Sequence, residues 1–170
     1  MAETKIIETG RLVLHPLGVA DAERIVHAEQ HGAAAHWGEG YPTQGDIAGV
    51  GNFLRGVAER GDPGAYRAYE IRLRADGTAI GGIGFHGPPD ADGVVTVGYG
   101  LTPAVRGRGY ASESLRALIA RAREAGATAV RGDADLDNIP SHRVMEAAGM
   151  AYEGEDERVR NYRVVFAERA

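Results

Sequence analysis

Two arginines and two glycines alternate in the segment from Arg106 to Ala111, which has the sequence Arg-Gly-Arg-Gly-Tyr-Ala. The glycines allow the backbone to turn tightly and to approach a ligand closely. A strong helical pattern follows, and the first turn of such a helix carries free N–H groups and the positive end of the helix dipole. The segment is therefore a candidate phosphate or pyrophosphate site, although a tight turn without a ligand would show the same spacing.

The elements that must position this segment follow one another in an α/β order. Short alternating patterns predict strands, whereas apolar residues at helical spacing predict helices. The predicted strands are 11–15, 66–74, 80–86, 94–102, 127–136, 152–158 and 162–168, and the predicted helices are 21–30, one capped by Asp46, 111–124, and a short one capped by Asp137 or Asn138. That order predicts a mixed sheet of about seven strands flanked by about four helices. The length of 170 residues fits a single domain, 1–170.

Composition excludes several classes of site and of partner. The sequence contains no cysteine, which excludes disulfides, thiolate metal sites and a cysteine nucleophile. No apolar run approaches the roughly 20 residues that cross a bilayer, so no membrane association is expected. The start, Met1–Glu8, carries acids and does not resemble a signal peptide, so the cytoplasm is the expected compartment. The net charge of −5 argues against a nucleic-acid partner.

Several motifs resemble those of one family, the GNAT acetyltransferases. Arg106-x-x-Gly109-x-Ala111 is similar to the family signature Arg/Gln-x-x-Gly-x-Gly/Ala, and the flanking segments 97–101 and 110–115 match as well. The segment 138–150 resembles the Asn-x-x-Ser helix of the family. The segment 9–14 resembles the first strand of the branch that includes ribosomal-protein N-terminal acetyltransferases. The resemblance covers nearly the whole chain and implies a GNAT-type α/β fold.

The resemblance also implies a cosubstrate and the residues that would contact it. Acetyl-CoA would donate the acetyl group, and an amine would attack the thioester directly, without an acyl-enzyme. The implied CoA-binding residues are Gly100, Leu101, Arg106, Gly107, Arg108, Gly109, Tyr110, Ala111 and Asn138. Backbone amides of 106–111 would hold the pyrophosphate, while Gly100, Leu101 and Asn138 would contact the pantetheine arm. An N–H near Leu101 would stabilise a developing oxyanion, and Asn138 is also a candidate helix N-cap.

The sequence departs from the family pattern at two positions that handle protons. Met145 stands where many members have a tyrosine that protonates the leaving thiolate, and Thr96 stands where many have a glutamate base. Ser141 is the candidate replacement acid, with a structural role at the helix start as the alternative. Glu70 and His86 are candidate catalytic bases. The alternatives are an outward-facing strand residue for Glu70 and a hairpin-end residue for His86.

The acceptor is expected to be a primary amine, either a protein N-terminus or a small molecule. Trp37 and Tyr41 lie in an irregular segment and are candidates either for the acceptor cavity or for the core. A homodimer is left open. A non-catalytic acyl-CoA-binding module is the alternative function, because Thr96 and Met145 replace the expected acid and base.

Two further patterns carry less weight. His27 and His31 are four residues apart, but no firm third ligand accompanies them, so no catalytic metal is expected. The segment Gly82–Gly87 matches G-x-G-x-x-G, but two prolines follow where a dinucleotide site would need the start of a helix.

Overall fold

The computed structural model describes residues 4–167 of the chain. These residues form eight strands, five α-helices and one short 3₁₀ helix, Pro103–Val105. The strands are β1 Ile7–Glu8, β2 Leu12–Pro16, β3 Ala68–Leu73, β4 Ala79–Phe85, β5 Val94–Leu101, β6 Ala129–Asp135, β7 Ala151–Glu155 and β8 Val159–Val165. The helices are α1 Val19–Val26, α2 Ala28–His31, α3 Gln44–Arg60, α4 Tyr110–Glu124 and α5 Ile139–Ala147. No helix within the described range is long and apolar enough to cross a membrane.

One mixed sheet runs through the molecule in the order β1-β2-β3-β4-β5-β6-β8-β7. Strand β4 pairs antiparallel with β5, and β8 pairs antiparallel with β6, whereas β5 and β6 run parallel to each other. Because a parallel pair needs a crossover connection, α4 links β5 to β6 across one face of the sheet. The α/β prediction is therefore confirmed.

The parallel pair β5–β6 separates soon after it begins. Pairing covers only Val94–Thr96 of β5 and Ala129–Arg131 of β6. Beyond this point β5 continues against β4 as far as Leu101, while β6 continues against β8 as far as Asp135. A wedge-shaped opening results between the two strands, and it is called the splay below.

Apolar cores cover both faces of the sheet. The larger core packs α4 and α5 against one face, with Leu115, Leu118 and Met145 fully buried. The smaller core packs α1 and α3 against the other face, around Ile25, Val50 and Phe53 among others. The two faces are called the α4 face and the α3 face below.

Several predicted elements differ from the observed ones in detail. The strand count rises to eight because the two-residue β1 pairs with β2. The predicted helix 21–30 is interrupted at His27, which separates α1 from α2. The N-cap of α3 is Thr43, and Asp46 is its capping-box partner one turn later. Two predictions include residues outside the described range. Residues 1–3 belong to the start that does not resemble a signal peptide, and Glu168 ends the last predicted strand.

Glu70 shows the largest difference from its predicted environment. Side chains alternate along β3, so Glu70 points to the other face of the sheet from Tyr69 and Ile71. An outward, solvated position on that face was the alternative to a catalytic role. Its side chain is instead only 2% exposed. The outward interpretation is wrong because the smaller core covers the α3 face of β3 as well.

Candidate active site

The edge of β5 that faces the splay carries backbone groups without a strand partner. Thr102 N–H donates to the carbonyl of Ile80, and His86 N–H donates to the carbonyl of Thr96. Hydrogen-bonding directions alternate along a strand, so the even-numbered residues of β5 bond to β4. The N–H and C=O groups of Val97, Tyr99 and Leu101 therefore point into the splay. They are placed to bond an extended ligand such as an amide-containing arm.

Gly100 contributes to the site in a different way. It pairs with Gly82, so its own N–H and C=O point toward β4. The position that a Cβ on Gly100 would take has no other atom within 4 Å. Gly100 therefore supplies open space on the α3 face, whereas Leu101 supplies the free N–H.

The turn 106–111 follows β5 after a short 3₁₀ helix, Pro103–Val105, and leads into α4. Gly107 and Gly109 have φ values of 80° and 83°, a region that other residues rarely adopt. The first hydrogen bond of α4 runs from Glu113 N–H to the Gly109 carbonyl at 3.1 Å, so the N–H groups of 110–112 have no partner within the helix, whereas Arg106 N–H donates to the Pro103 carbonyl at 3.3 Å. Arg106 Nε donates to the carbonyl of Leu101 at 3.1 Å, which joins the turn to the splay edge. An anion would meet free amides and arginine charge here.

Arg11 supports this turn from the β1–β2 hairpin. Its guanidinium donates to the Arg108 carbonyl at 2.9 Å and to Glu113 at 2.8 Å, and it lies 4.4 Å from the centre of the Tyr110 ring. Glu113 also accepts a hydrogen bond from the Thr9 hydroxyl at 2.6 Å. Burial by itself would raise the pKa of Glu113, but these hydrogen bonds outweigh it and hold the pKa below its ordinary value. No local pattern in the sequence indicates this contact, because its partners lie about 100 residues apart.

The start of α5 lies on the α4 face of the splay. The Asn138 side chain caps the helix by accepting the Ser141 N–H at 3.3 Å, which confirms its structural role. The Ser141 hydroxyl lies 2.7 Å from the hydroxyl of Tyr99, and the two share a hydrogen bond. Met145 is fully buried, with its sulfur 3.0 Å from the position that a Cβ on Gly132 would take. Ser141 and Tyr99 therefore supply a hydrogen-bonded pair of hydroxyl groups on this face of the splay.

His86 lies on the opposite, α3 face of the splay. It follows β4, and its main-chain bond to Thr96 makes the two residues cross-strand neighbours. Its Nε2 lies 2.5 Å from the position that a Cβ on Gly98 would take, so the ring covers Gly98. His86 is exposed and lines both cavities described below. Its ring thus stands beside the position where the family pattern has a glutamate.

Glu70 is held in a buried network rather than in a cavity wall. One carboxylate oxygen accepts hydrogen bonds from Arg72 at 2.7 Å and contacts His36 at 2.9 Å. The other accepts the Tyr41 hydroxyl at 2.8 Å. Burial and this carboxylate raise the pKa of Tyr41 far above its ordinary value. Glu70 lines neither of the two cavities.

Two cavities lie beside the splay on the α3 face. The first, of about 320 Å³, is bounded by the N-terminal half of α3 and by Gly82, Gly84, Gly98 and Gly100 of the sheet. The second, of about 550 Å³, lies toward the C-terminal end of α3. Tyr41 lines the first cavity, whereas Trp37 packs in the smaller core. Asp46 also lines the first cavity, a position that its interpretation as a helix cap did not predict.

The other sequence patterns lie away from this arrangement. Residues 82–85 of the glycine-rich segment belong to β4, so the segment does not open a helix. His27 and His31 are exposed at the two ends of the α2 turn.

Comparison with known families agrees with this geometry. The family profile described as Acetyltransferase (GNAT) domain matches residues 11–151, which include the splay, the turn 106–111 and α5. No curated protein sequence matches the chain significantly.

Solved structures with the same fold include three acetyltransferases. A GNAT-family acetyltransferase from Bacillus anthracis has 20% identity over 95% of this chain and 98% of that one, with a TM-score of 0.67. The ribosomal L7/L12 alpha-N-protein acetyltransferase RimL, in complex with coenzyme A, has 18% identity over 95% and 98%, with a TM-score of 0.67. The microcin C7 self-immunity acetyltransferase MccE, in complex with acetyl-CoA and AMP, has 15% identity over 93% and 94%, with a TM-score of 0.65. At these identities the likeness shows the fold.

Proposed function

We propose that this chain, which belongs to the GNAT acetyltransferase family, transfers an acetyl group from acetyl-CoA to a primary amine. The observation that carries the proposal is the splay itself. It joins a strand edge with free amide groups to a turn with free helix amides, and cavities open on its α3 face.

The residues present fit acetyl-CoA as the cosubstrate, whose thioester supplies the activated acetyl group. The amides of 106–111 and the charges of Arg106 and Arg108 suit its pyrophosphate. Nothing lies within 4 Å of the position that a Cβ on Gly107 would take, so the turn is open to a ligand. The groups of Val97, Tyr99 and Leu101 suit its amide-containing arm, with Asn138 as a further contact. The Leu101 N–H is placed to donate to negative charge on the acetyl oxygen.

His86 is the base that the geometry favours. An amine must be neutral to attack, so a group on the acceptor side must take its proton. His86 is exposed, stands over Gly98 and is the cross-strand neighbour of Thr96. Glu70, the other candidate, would act only through Tyr41 or His36, because these residues occupy its carboxylate.

Ser141 is the proposed proton donor to the leaving thiolate. It lies on the α4 face, and its hydroxyl is hydrogen-bonded to the hydroxyl of Tyr99. Tyr99 can therefore pass its proton to Ser141 as Ser141 protonates the thiolate, and solvent returns a proton to Tyr99 before the next turnover. Burial raises the pKa of Tyr99, so its hydroxyl stays protonated at neutral pH.

The acceptor in this proposal is a small-molecule amine or a protein N-terminus. The similarity in fold to RimL supports the second class, and the two cavities beside the splay support either. The proposal assigns no role to a nucleic acid or to a metal, and it treats 1–170 as one domain in the cytoplasm, with a homodimer left open.

The test is CoA release in the presence and absence of amines. An amine panel that includes small arylalkylamines and short peptides should accelerate CoA release from acetyl-CoA well above the rate of hydrolysis. A protein that binds acetyl-CoA by calorimetry but shows no acceleration with any amine would instead be a non-catalytic acyl-CoA-binding module.

A further inference from the structure

Asp46 has a carboxylate oxygen that the fold does not use. Its Oδ2 accepts the Thr43 N–H at 2.8 Å and the Thr43 hydroxyl at 2.9 Å. Within residues 4–167, no hydrogen bond involves Oδ1. That oxygen lies 2.8 Å from the position that a Cβ on Gly82 would take. Because Gly82 has no side chain, the Asp46 carboxylate can pack against the α3 face of the sheet.

This oxygen stands close to the strand that lines the splay. Gly82 pairs with Gly100, and cross-strand neighbours place their Cβ positions about 4.5–5.5 Å apart. Open space surrounds the Cβ position of Gly100, next to the free N–H of Leu101. A small group beside Asp46 would therefore adjoin the place where the thioester is proposed to lie.

The charge balance around Asp46 favours a cation. Burial raises the pKa of Asp46, the Thr43 hydrogen bonds lower it, and nearby Glu70 raises it, so the net direction is upward. Glu70 already has Arg72 and His36 as partners, whereas Asp46 has no cationic partner among the described residues. A buried carboxylate with a free oxygen gains a charge-assisted hydrogen bond when an ammonium group binds.

The first cavity continues into the second. Asn52, Phe85 and His86 line both of them. The wall of the second cavity is mainly apolar, and the rings of Phe85 and Tyr66 meet edge to face with centroids 5.4 Å apart. The other apolar lining residues include Phe53, Val57, Pro63, Pro88 and Pro89. An apolar body thus fits beyond the ammonium site.

A second positive charge on the ligand would be disfavoured in this second cavity. Arg60 lines it with a side chain that is 53% exposed, and its partner at 3.4 Å, the exposed Glu59, lines neither cavity. Asp62 also lines it, but that carboxylate is paired with Arg67 at 2.6 Å. A polyamine would therefore meet a like charge there.

We infer that Asp46 binds the ammonium group of the acceptor and that the acceptor carries an uncharged, apolar body in the second cavity. This inference rests on the proposed function, since the nitrogen bound at Asp46 is the one that loses a proton to His86 and is then acetylated. A free arylalkylamine and a peptide with an apolar N-terminal residue both present this chemistry.

Equilibrium binding to the CoA-saturated protein tests the inference without turnover. The probes are 2-phenylethylamine, its neutral counterpart 2-phenylethanol, and the polycation spermidine. We expect 2-phenylethylamine to bind at least about 10-fold more tightly than either of the others. Equal binding of the amine and the alcohol, or tighter binding of spermidine, would overturn the inference.

Two variants separate the ammonium site from the helix cap. Asp46→Asn can still accept the Thr43 hydrogen bonds, and it should weaken 2-phenylethylamine binding by about 10- to 100-fold while leaving 2-phenylethanol unchanged. Thr43→Ala weakens the cap but keeps the carboxylate, so it should retain the preference for the amine. Unchanged amine affinity in folded Asp46→Asn would refute the assignment.

Turnover then identifies the source of the amine and separates the two proposals. Relative kcat/KM for 2-phenylethylamine and for the peptide Phe-Gly-Gly shows which source is preferred. Asp46-dependent binding without CoA release would contradict the proposed function alone. Amine-dependent CoA release whose rate is the same in the Asp46→Asn variant, and the same for amines with and without an apolar body, would contradict this inference alone.

Discussion

The hydroxyls of Ser141 and Tyr99 share one hydrogen bond, so we expect their substitutions to affect the same step. Ser141→Ala should lower kcat by about 10²-fold or less, because serine is a weak acid. Tyr99→Phe keeps the ring and should produce a smaller loss. The double variant should lose little more than Ser141→Ala, since groups that act together are not additive.

Steady-state kinetics with acetyl-CoA affinity measured in parallel checks this prediction. The Asn138 side chain, not Ser141, caps α5, so Ser141→Ala should remain folded with unchanged acetyl-CoA affinity. Wild-type kcat in a folded Ser141→Ala protein would mean that water protonates the thiolate.

His86 is expected to matter for rate rather than for cosubstrate binding. His86→Ala should lower kcat by about 10²–10⁴-fold, because the acceptor loses the base that takes its proton. His31→Ala is the matched control, since His31 is an exposed histidine on α2, away from the splay. If both variants keep wild-type kcat over a range of pH, His86 is not the base.

At the scale of elements, the turn before α4 should tolerate no bulky residue at Gly109. Gly109→Val introduces a side chain at a φ of 83°, with its Cβ 3.3 Å from the Arg11 guanidinium and among the amides proposed to hold the pyrophosphate, so CoA affinity should fall by more than 10-fold. Gly126→Val at the other end of α4 is the control, because its φ of 104° imposes comparable backbone strain.

Calorimetry separates the effect of strain from the loss of the site. Both variants should lose stability, but only Gly109→Val should lose CoA affinity. Equal CoA affinity in the two folded variants would contradict the assignment of the turn.

The contact between the β1–β2 hairpin and α4 should make stability depend on pH. Hydrogen bonds from Thr9 and Arg11 hold the pKa of Glu113 below its ordinary value, so its contribution is present above the unfolded pKa and is lost as pH falls through the folded pKa. Glu113→Gln should lower the free energy of unfolding by about 1–2 kcal/mol at pH 7, with Arg11 partly screened by solvent. The difference from wild type should vanish well below about pH 4.

Denaturant unfolding at several pH values measures this difference, with the exposed Glu157→Gln as the control. A Glu113→Gln deficit that stays constant from neutral to strongly acidic pH would show that charge is not its cause.

Local patterns were sufficient to predict most elements, but not the residues whose role depends on long-range packing. Glycines at 107 and 109 indicate a turn with positive φ values, which the structure has. The apolar residues of α4 recur at helical spacing, which predicts both the helix and its buried face. Glu70 was misplaced because alternation along β3 cannot reveal that α1 and α3 cover the second face. Asp46 carries a local signal, Thr43-x-x-Asp46, but its proximity to Gly82 depends on where α3 packs.

For the whole molecule, the proposed mechanism divides the reaction between the two faces of the splay. His86 and Asp46 stand on the α3 face, whereas Ser141 and Tyr99 meet on the α4 face. The proposed mechanism therefore requires both substrates to be bound together, and the chain has no cysteine to hold the acetyl group between two half-reactions. Initial-rate plots at several amine concentrations should intersect. Parallel plots together with a chemically competent acetyl adduct, found by mass spectrometry, would contradict direct transfer.

The central claim is that CoA and the amine meet at the splay between β5 and β6. A crystal structure of the protein with CoA and a bound, unreacted 2-phenylethylamine tests it most directly. We predict the pyrophosphate on the amides of 106–111, the pantetheine arm on Val97, Tyr99 and Leu101, and the amine nitrogen between Asp46 and His86. CoA bound outside the splay, or an amine bound away from the α3 face, would contradict the account.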